Sequence, residues 1–459
     1  MDVLTTYLLG GASGQGGVPY KLWQLSQSPA SVTFDSYDNI ILNGFSYPAN
    51  PYTSQRNAGT GSLNPTTNAI RWNKRYAIGH SFSDNASTSF GKAYYNASAD
   101  KVWFGATYAS VVTLNPSTGE VVNSISPDTG YPYNILNVST SDLQTFYGTH
   151  FYSNVVRNYK FTSSSPNTIS VNWYSTWSNT ASGGVNESYL SFISLGSVIA
   201  GGNKQFHMVG IYNRDSDSLQ YSGIVATNSD GSSGNWWRFN QSNPGQAINE
   251  PYGGIFRDHS GNIYISKGFA SRYSSYPNRR LVSYNTSMGH RYTYYPSLPG
   301  YVSSGNPNLG ISVLGYDSSD NLYLGVGPGS AGNGYSVTRI AKVNQSKTIL
   351  WQYSTNITIS SVVMHPTDPD AILLLFSNGL VMTQTSDELI TGTWGTLTIS
   401  ESTDLSLVSE GEYWPALLNS GVYHLSMTWN SQTTPSGSPL TANITNQSGL
   451  SVTSTTIIA

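Results

Sequence analysis

The chain has no cysteine among its 459 residues, which excludes disulfides, thiolate metal sites and cysteine nucleophiles. Charge is scarce as well. Asp, Glu, Lys and Arg together make up 10% of the sequence, against about 25% in an ordinary soluble domain. With a net charge of −3, nothing steers the chain toward nucleic acid or an anionic membrane surface. No run of about 18 apolar residues occurs, so no transmembrane helix is expected. The opening "MDVLTTYLLGGASGQGG" has no basic residue before a short apolar run, and reads as a flexible Gly-rich segment rather than an export signal. Sustained helical periodicity is missing, which predicts almost no α-helix. The familiar catalytic signatures are missing too: no HExxH, no phosphate-cradling Gly-rich loop, no GxSxG elbow.

What the chain has in quantity is aromatic and small polar side chains. Aromatics reach 13%, with 33 Tyr, and Ser, Thr, Asn and Gln must cover the surface that charge does not. A short pattern recurs three times: "FDSYDNIILNG" (34–44), "FRDHSGNIYISKG" (256–268) and "YDSSDNLYLGVG" (316–327). Each places Asp, then Gly or Asp, then Asn between two apolar stretches. Asp35, Asp258 and Asp317 share one position, and Asn39, Asn262 and Asn321 another. Asp, Asn and Gly tolerate left-handed backbone and cap their own main chain, so these six are read as structural turn residues of β-hairpins.

A second pattern follows each hairpin: strand, polar turn, and a strand carrying Trp or Tyr. "SLNPTTNAIRWNKRY" (62–76), "TLNPSTGEVVNSIS" (113–126), "VSYNTSMGHRYTYYP" (282–296) and "AKVNQSKTILWQYS" (341–354) are clear copies. Looser copies bring the total to seven, with Trp72, Val122, Trp173, Trp236, Tyr292, Trp351 and Trp394 in aligned positions. Intervals of this size, four strands to a unit, predict an all-β chain: a seven-bladed β-propeller of four-stranded antiparallel blades, with a small β-rich C-terminal extension. The expected division is a flexible N-terminal anchor segment over 1–19, the propeller over 20–400 and the extension over 401–459. "YKLWQLS" (20–26) matches the fourth-strand text "TILWQYS" (348–354). Either it joins the final blade and closes the ring, or 387–400 supply that strand and 20–26 form an added edge. An eighth blade would have to be drawn from 400–459, which does not repeat the pattern.

The first hairpin resembles a propeller repeat of bacterial and phage proteins, V-D-x-x-G-N-(I/V)-Y-(V/I)-x-G, in 34–44, 256–268 and 316–327. The second resembles that of quinoprotein-type propellers, as in "LNPSTGEVV". These motifs encode turns and packing and are weak guides to activity. In composition, with a short Gly-rich start, low charge and no cysteine, the chain resembles structural proteins of tailed-phage virions. That resemblance implies a non-enzymatic structural or adhesive component of the tail or particle surface, localised to the virion and present in multiple copies. Its partners would be other virion proteins and a host surface glycan, with no nucleic acid partner and no membrane insertion. The alternatives are a carbohydrate-active or quinoprotein-like propeller enzyme and a bacterial surface-binding protein.

No catalytic residue, metal set or cofactor is nominated. The seven histidines have no local metal-ligand spacing. "NRDSDS" (213–218) lacks the glycine and bidentate Glu of a calcium loop. Two Tyr-, Pro- and Arg-bearing stretches between second and third strands, 45–61 and 269–280, are the expected contact loops on one rim. Their candidate partner or glycan contacts are Tyr47, Tyr52, Arg56, Arg272, Tyr273, Tyr276, Arg279 and Arg280, since Tyr and Arg carry binding hot spots.

Overall fold

The computed structural model describes residues 21–456 apart from 49–55, 80–89, 97–98, 107–109, 127–136, 141–144, 153–154, 166–167, 180–189, 201–203, 214–219, 229–233, 239–252, 259, 268–279, 286, 288, 300–307, 330–337, 366–367, 369–370, 385–387, 411–424, 429–437, 440 and 448–449. Among the described residues there are strands, turns and no helix. No helix is long and apolar enough to cross a membrane.

Strand β1 (Lys21–Leu25) comes first. Blade 1 follows as β2 (Ser31–Phe34), β3 (Ile40–Pro48), β4 (Arg56–Asn64) and β5 (Ala69–Gly79). Blade 2 is β6 (Phe90–Asn96), β7 (Lys101–Ala106), β8 (Ser110–Leu114) and β9 (Val121–Ser126). Blade 3 is β10 (Asn137–Thr140), β11 (Thr145–Tyr152), β12 (Val155–Ser165) and β13 (Thr168–Asn179). Blade 4 is β14 (Leu190–Ala200), β15 (Lys204–Asn213), β16 (Gln220–Thr227) and β17 (Gly234–Arg238). Blade 5 is β18 (Gly253–Arg257), β19 (Ile263–Lys267), β20 (Arg280–Tyr284) and β21 (His290–Ser297). Blade 6 is β22 (Asn308–Tyr316), β23 (Leu322–Gly329), β24 (Arg339–Val343) and β25 (Ile349–Thr355). Blade 7 contributes β26 (Ile359–Met364), β27 (Ile372–Phe376) and β28 (Leu380–Gln384).

All pairs within a blade are antiparallel and sequential. The first strand of each blade contacts the first strand of the next, and β26 contacts β2. The seven sheets therefore stand radially, inner strands around an axis, and the chain is a β-propeller. Each sheet buries both faces against neighbours, which a single sheet cannot do.

The seventh blade takes its fourth strand from the N-terminus. β1 lies antiparallel to β28, with Trp23 opposite Val381. This decides between the two closures and corrects the alignment of Trp394. That residue lies in β29 (Gly392–Trp394), which pairs with β30 (Leu397–Glu401), and β30 pairs with β25 of blade 6. Trp23 holds the position assigned to Trp394 because it, and not Trp394, completes a four-strand sheet.

The repeats carry a repeated irregularity. Between third and fourth strands the register shifts at Ser62/Leu63, Thr113/Leu114, Lys160/Phe161, Ser283/Tyr284 and Lys342/Val343. The unpaired residue is Arg71, Val122, Asn172, Arg291 or Leu350. The residue after it aligns with Trp72, so blade 2 presents Asn123 there rather than Val122. A bulge re-aims its side chain: Arg71 turns back to Asp35 at 3.6 Å, and Arg291 reaches the Tyr264 hydroxyl at 3.3 Å and the Gln345 amide oxygen at 3.0 Å.

The aligned Trp is a clasp between blades. The Trp72 indole N–H donates to the Pro116 carbonyl of blade 2 at 2.8 Å, and its ring lies where a side chain at Gly119 would stand. Gly119 also has φ +68, so both space and backbone demand glycine. Trp23 repeats the move across the closure, donating to Asn68 Oδ1 of blade 1 at 3.1 Å. Beside it, buried Lys21 donates to the Thr66 carbonyl and Asn68 Oδ1, each at 3.2 Å; burial lowers its pKa.

The described strands from β30 onward form a belt. β30 pairs with blade 6, β31 (Ser406–Glu410) with β21 of blade 5, and β32 (Leu425–Thr428) with β13 of blade 3. β33 (Ser438–Pro439) pairs with β9 of blade 2, β34 (Thr441–Asn446) with β5 of blade 1, and β35 (Val452–Thr456) with β1 in blade 7. The belt thus runs against the blade order and returns to the closure. Among the described residues, blade 4 has four strands, blade 6 gains two outer ones, β30 and β29, and each other sheet gains one. The belt is anchored by apolar side chains, Leu397 and Ile399 between blades 6 and 7, Leu405 in the core of blades 5 and 6, and Leu450 in that of blades 7 and 1. It is also anchored by polar bonds. Asp404 takes the Arg339 guanidinium in a two-pronged pair at 2.9 and 2.7 Å. The Gln352 side chain bonds both the N–H and the C=O of Leu405, at 2.8 and 3.1 Å.

Candidate functional site: turns, rim and central channel

The three repeated carboxylates are buried and fully engaged by their own turns. Asp35 Oδ1 accepts the N–H groups of Tyr37 and Asn39 at 2.8 and 2.9 Å. Asp258 accepts the Asn262 N–H and side-chain amide, each at 2.8 Å, and the Tyr264 hydroxyl at 2.8 Å. Asp317 accepts the N–H groups of Ser319 and Asn321, each at 2.9 Å, and the Asn321 side-chain amide at 2.7 Å. It also pairs with buried Lys342 at 2.8 Å. Their electrostatics differ accordingly. Burial raises the Asp35 pKa against the pull of its hydrogen bonds. At Asp317 burial works upward too, but Lys342 and Asn321 outweigh it and the pKa is lowered. Carboxylates saturated by backbone donors are turn caps, with no lone pair directed at a substrate.

Neighbouring turns interlock through the fourth turn residue. Asp320, with φ 62, accepts the Ser260 N–H of blade 5 at 3.1 Å. Asp38, with φ 59, accepts from His365 Nε2 of blade 7 at 2.9 Å. His365 stands where blades 1, 5 and 6 place Asp: its Nδ1 accepts the Asp368 N–H at 3.1 Å, which puts the ring proton on Nε2. The ring also packs edge-on against Phe34, centroids 4.6 Å apart.

The second-to-third connections of blades 1 and 5 emerge at the rim opposite the Asp turns, where β3 ends and β20 begins. The stretch 45–61 is shorter as a loop than expected. β3 and β4 extend past the repeat, pairing Tyr47 with Asn57 and Pro48 with Arg56, so Tyr47 and Arg56 are strand residues. Arg280 opens β20 opposite Lys267 and is half-buried. Tyr52, Arg272, Tyr273, Tyr276 and Arg279 lie outside the described residues. Among the described residues no cluster of three His, Asp or Glu side chains is placed to hold a metal.

The sequence reading overlooked the channel along the axis. It is walled by the seven first strands, whose sequences are SVTF, FGKAYYN, NVST, LSFISLGSVIA, GGIFR, NLGISVLGY and ISSVVM. They contain no Asp or Glu and two cations, Lys92 and Arg257. Lys92 lies at a bulge, since the β6–β7 register jumps between Phe90 and Ala93. Its ammonium sits 5.7 Å from the Tyr94 ring centroid. Lys92 is open to solvent, yet enough protein encloses it for desolvation to lower its pKa. A side chain in a narrow central channel satisfies both observations. Tyr94 is pushed up to about 12, by burial first and then by Tyr316 of blade 6. Blades 2 and 6 are not neighbours, so these two tyrosines come within electrostatic reach of each other only across the axis. Aligning the first strands and counting charge would have exposed this; a search for catalytic motifs could not.

No family model and no curated protein sequence matches the chain. Solved structures that superpose on it include BamB from Moraxella catarrhalis, at 11% identity over 77% of this chain and 84% of that one, TM-score 0.39. A chain of a mitotic checkpoint complex aligns at 8% identity over 83% and 96%, TM-score 0.44. Raptor from Chaetomium thermophilum aligns at 11% identity over 81% of this chain and 29% of its own, TM-score 0.45. These are loose likenesses; the propeller architecture rests on the sheet order and the ring of first-strand contacts.

Proposed function

We propose that this chain is a non-enzymatic structural and adhesive component of a tailed-phage virion, a rigid disc that contacts neighbouring subunits and host surface glycans. The observation that carries the reading is the double closure of the ring. β1 completes the last blade, and the belt from β30 to β35 binds six of the seven sheets and ends against β1. Opening the ring at the seam between blades 7 and 1 then requires release of both β1 and β35, which raises the barrier to opening without disulfides. Such resistance suits a particle component that must persist outside the cell. The low charge, the Ser-, Thr- and Asn-rich composition and the repeat resemblance support the same reading. The repeated carboxylates give no support to an enzyme, since backbone and side-chain donors occupy them.

Quantitative mass spectrometry of purified phage particles, searched for peptides of this chain, tests the reading. A copy number equal to a small symmetric multiple is the expected result. Recovery of the chain only from the soluble or secreted fraction, with none in particles, would overturn it.

A further inference from the structure

We propose that the central channel, from Tyr316 at its mouth to Tyr94 and Lys92 within, binds the carboxylate-bearing end of an acidic glycan. The glycan part of this inference rests on the adhesive role proposed above; the anion site rests on the channel alone. Three observations converge on it. The seven first strands carry positive charge and no negative charge, in a chain whose net charge is −3. The one strand bulge beside a cation in the channel turns Lys92 out of the sheet's alternation. The Lys92 ammonium lies over the Tyr94 ring face and is open to solvent, an arrangement that leaves its three donors available to an incoming acceptor.

The ligand class follows from these groups. At the depth of Lys92 the charge is one ammonium, a point charge that balances a monoanion such as a carboxylate and lacks the bidentate guanidinium fork; Arg257, the other first-strand cation, stands at the end of β18 by the Asp-turn mouth. Phenol rings offer flat faces for a pyranose and hydroxyls for its polar edge. Asn96 ends β6 at the Asp-turn rim, and Lys92 is four residues earlier, so at ~3.3 Å per residue its backbone lies roughly 13 Å inside that mouth. Tyr316 ends β22 at the mouth itself. A sugar entering from this rim would meet tyrosine first and the ammonium behind it.

Calorimetric titration of the full chain with oligogalacturonate, neutral galacto-oligosaccharide, acetate and inorganic phosphate tests the proposal. The expected result is binding of oligogalacturonate in preference to the neutral sugar and to phosphate. Lys92→Met should weaken it roughly tenfold or more, the loss of a charge-assisted hydrogen bond, and Lys92→Arg should retain most of it. Thermal unfolding of each variant checks that the solvent-open position leaves the fold intact. Equal binding of neutral and acidic sugars, equal binding of phosphate, no change in Lys92→Met, or no binding at all would each overturn the proposal. Particle incorporation is read independently by mass spectrometry, so failure here and failure of the virion reading are distinct results.

Discussion

Replacing Trp23 by Ala tests the closure of the ring directly. Trp23 is fully buried and its indole N–H donates to Asn68 Oδ1 across the seam between blades 7 and 1. Truncating a buried Trp to Ala costs about 3–5 kcal/mol through lost transfer and the cavity left behind. The lost hydrogen bond adds about 1 kcal/mol, while Lys21 still satisfies Asn68. The expected destabilisation is therefore about 4–6 kcal/mol. Trp351 is the control. It occupies the matching "LWQ" of blade 6, but it is only partly buried and its indole N–H finds no protein partner. Trp351→Ala should cost about half as much. Urea unfolding reads the totals, and hydrogen exchange reads the location. β35 pairs only with β1, so Trp23→Ala should deprotect 452–456 together with 380–383. If the two variants cost the same, or if exchange in β35 is unchanged, β1 does not close the ring as described.

Removing 402–459 should turn a monodisperse protein into a self-associating one by light scattering, because it uncovers the outer edges of β5, β9, β13 and β21; an unchanged particle size would contradict the belt. Asp317→Asn should cost about 3–5 kcal/mol by leaving buried Lys342 without its carboxylate, and Lys342→Met in the same background should recover part of it. Asp404 is held at about 2, first by the hydrogen bonds from Arg339. A depressed carboxylate stabilises the fold above its ordinary value and loses that contribution as pH falls through the folded value. Acid unfolding between about pH 4 and pH 2 should therefore steepen with Asp404 and flatten in Asp404→Asn. The difference is about 1 kcal/mol after allowance for its partial exposure. The raised pKa of Asp35 acts in the opposite sense; its protonation relieves burial and does not add to the acid loss.

Much of this architecture could be read along the chain. The turns at Asp35, Asp258 and Asp317 announce hairpins because Asp and Asn cap their own backbone wherever they occur. The seven-fold spacing announces blades because each sheet must be covered on both faces. Even the closing strand left its mark, since Trp23 performs the same inter-blade clasp as Trp72 and so carries similar text. Other features had no local signature. Trp394 looks like a fourth-strand aromatic, and the belt strands look like a loose polar tail, because outer-edge pairing asks only for an extended backbone that any Ser- and Thr-rich segment supplies. The bulge that displaces Val122 and presents Asn123 is a property of two strands in register, not of either alone. The channel is the extreme case. Tyr94 and Tyr316 are more than two hundred residues apart and come within electrostatic reach of each other only when the ring closes. Local sequence encodes what a residue does to its own turn or strand; long-range closure decides which strands share an edge and which side chains meet on the axis.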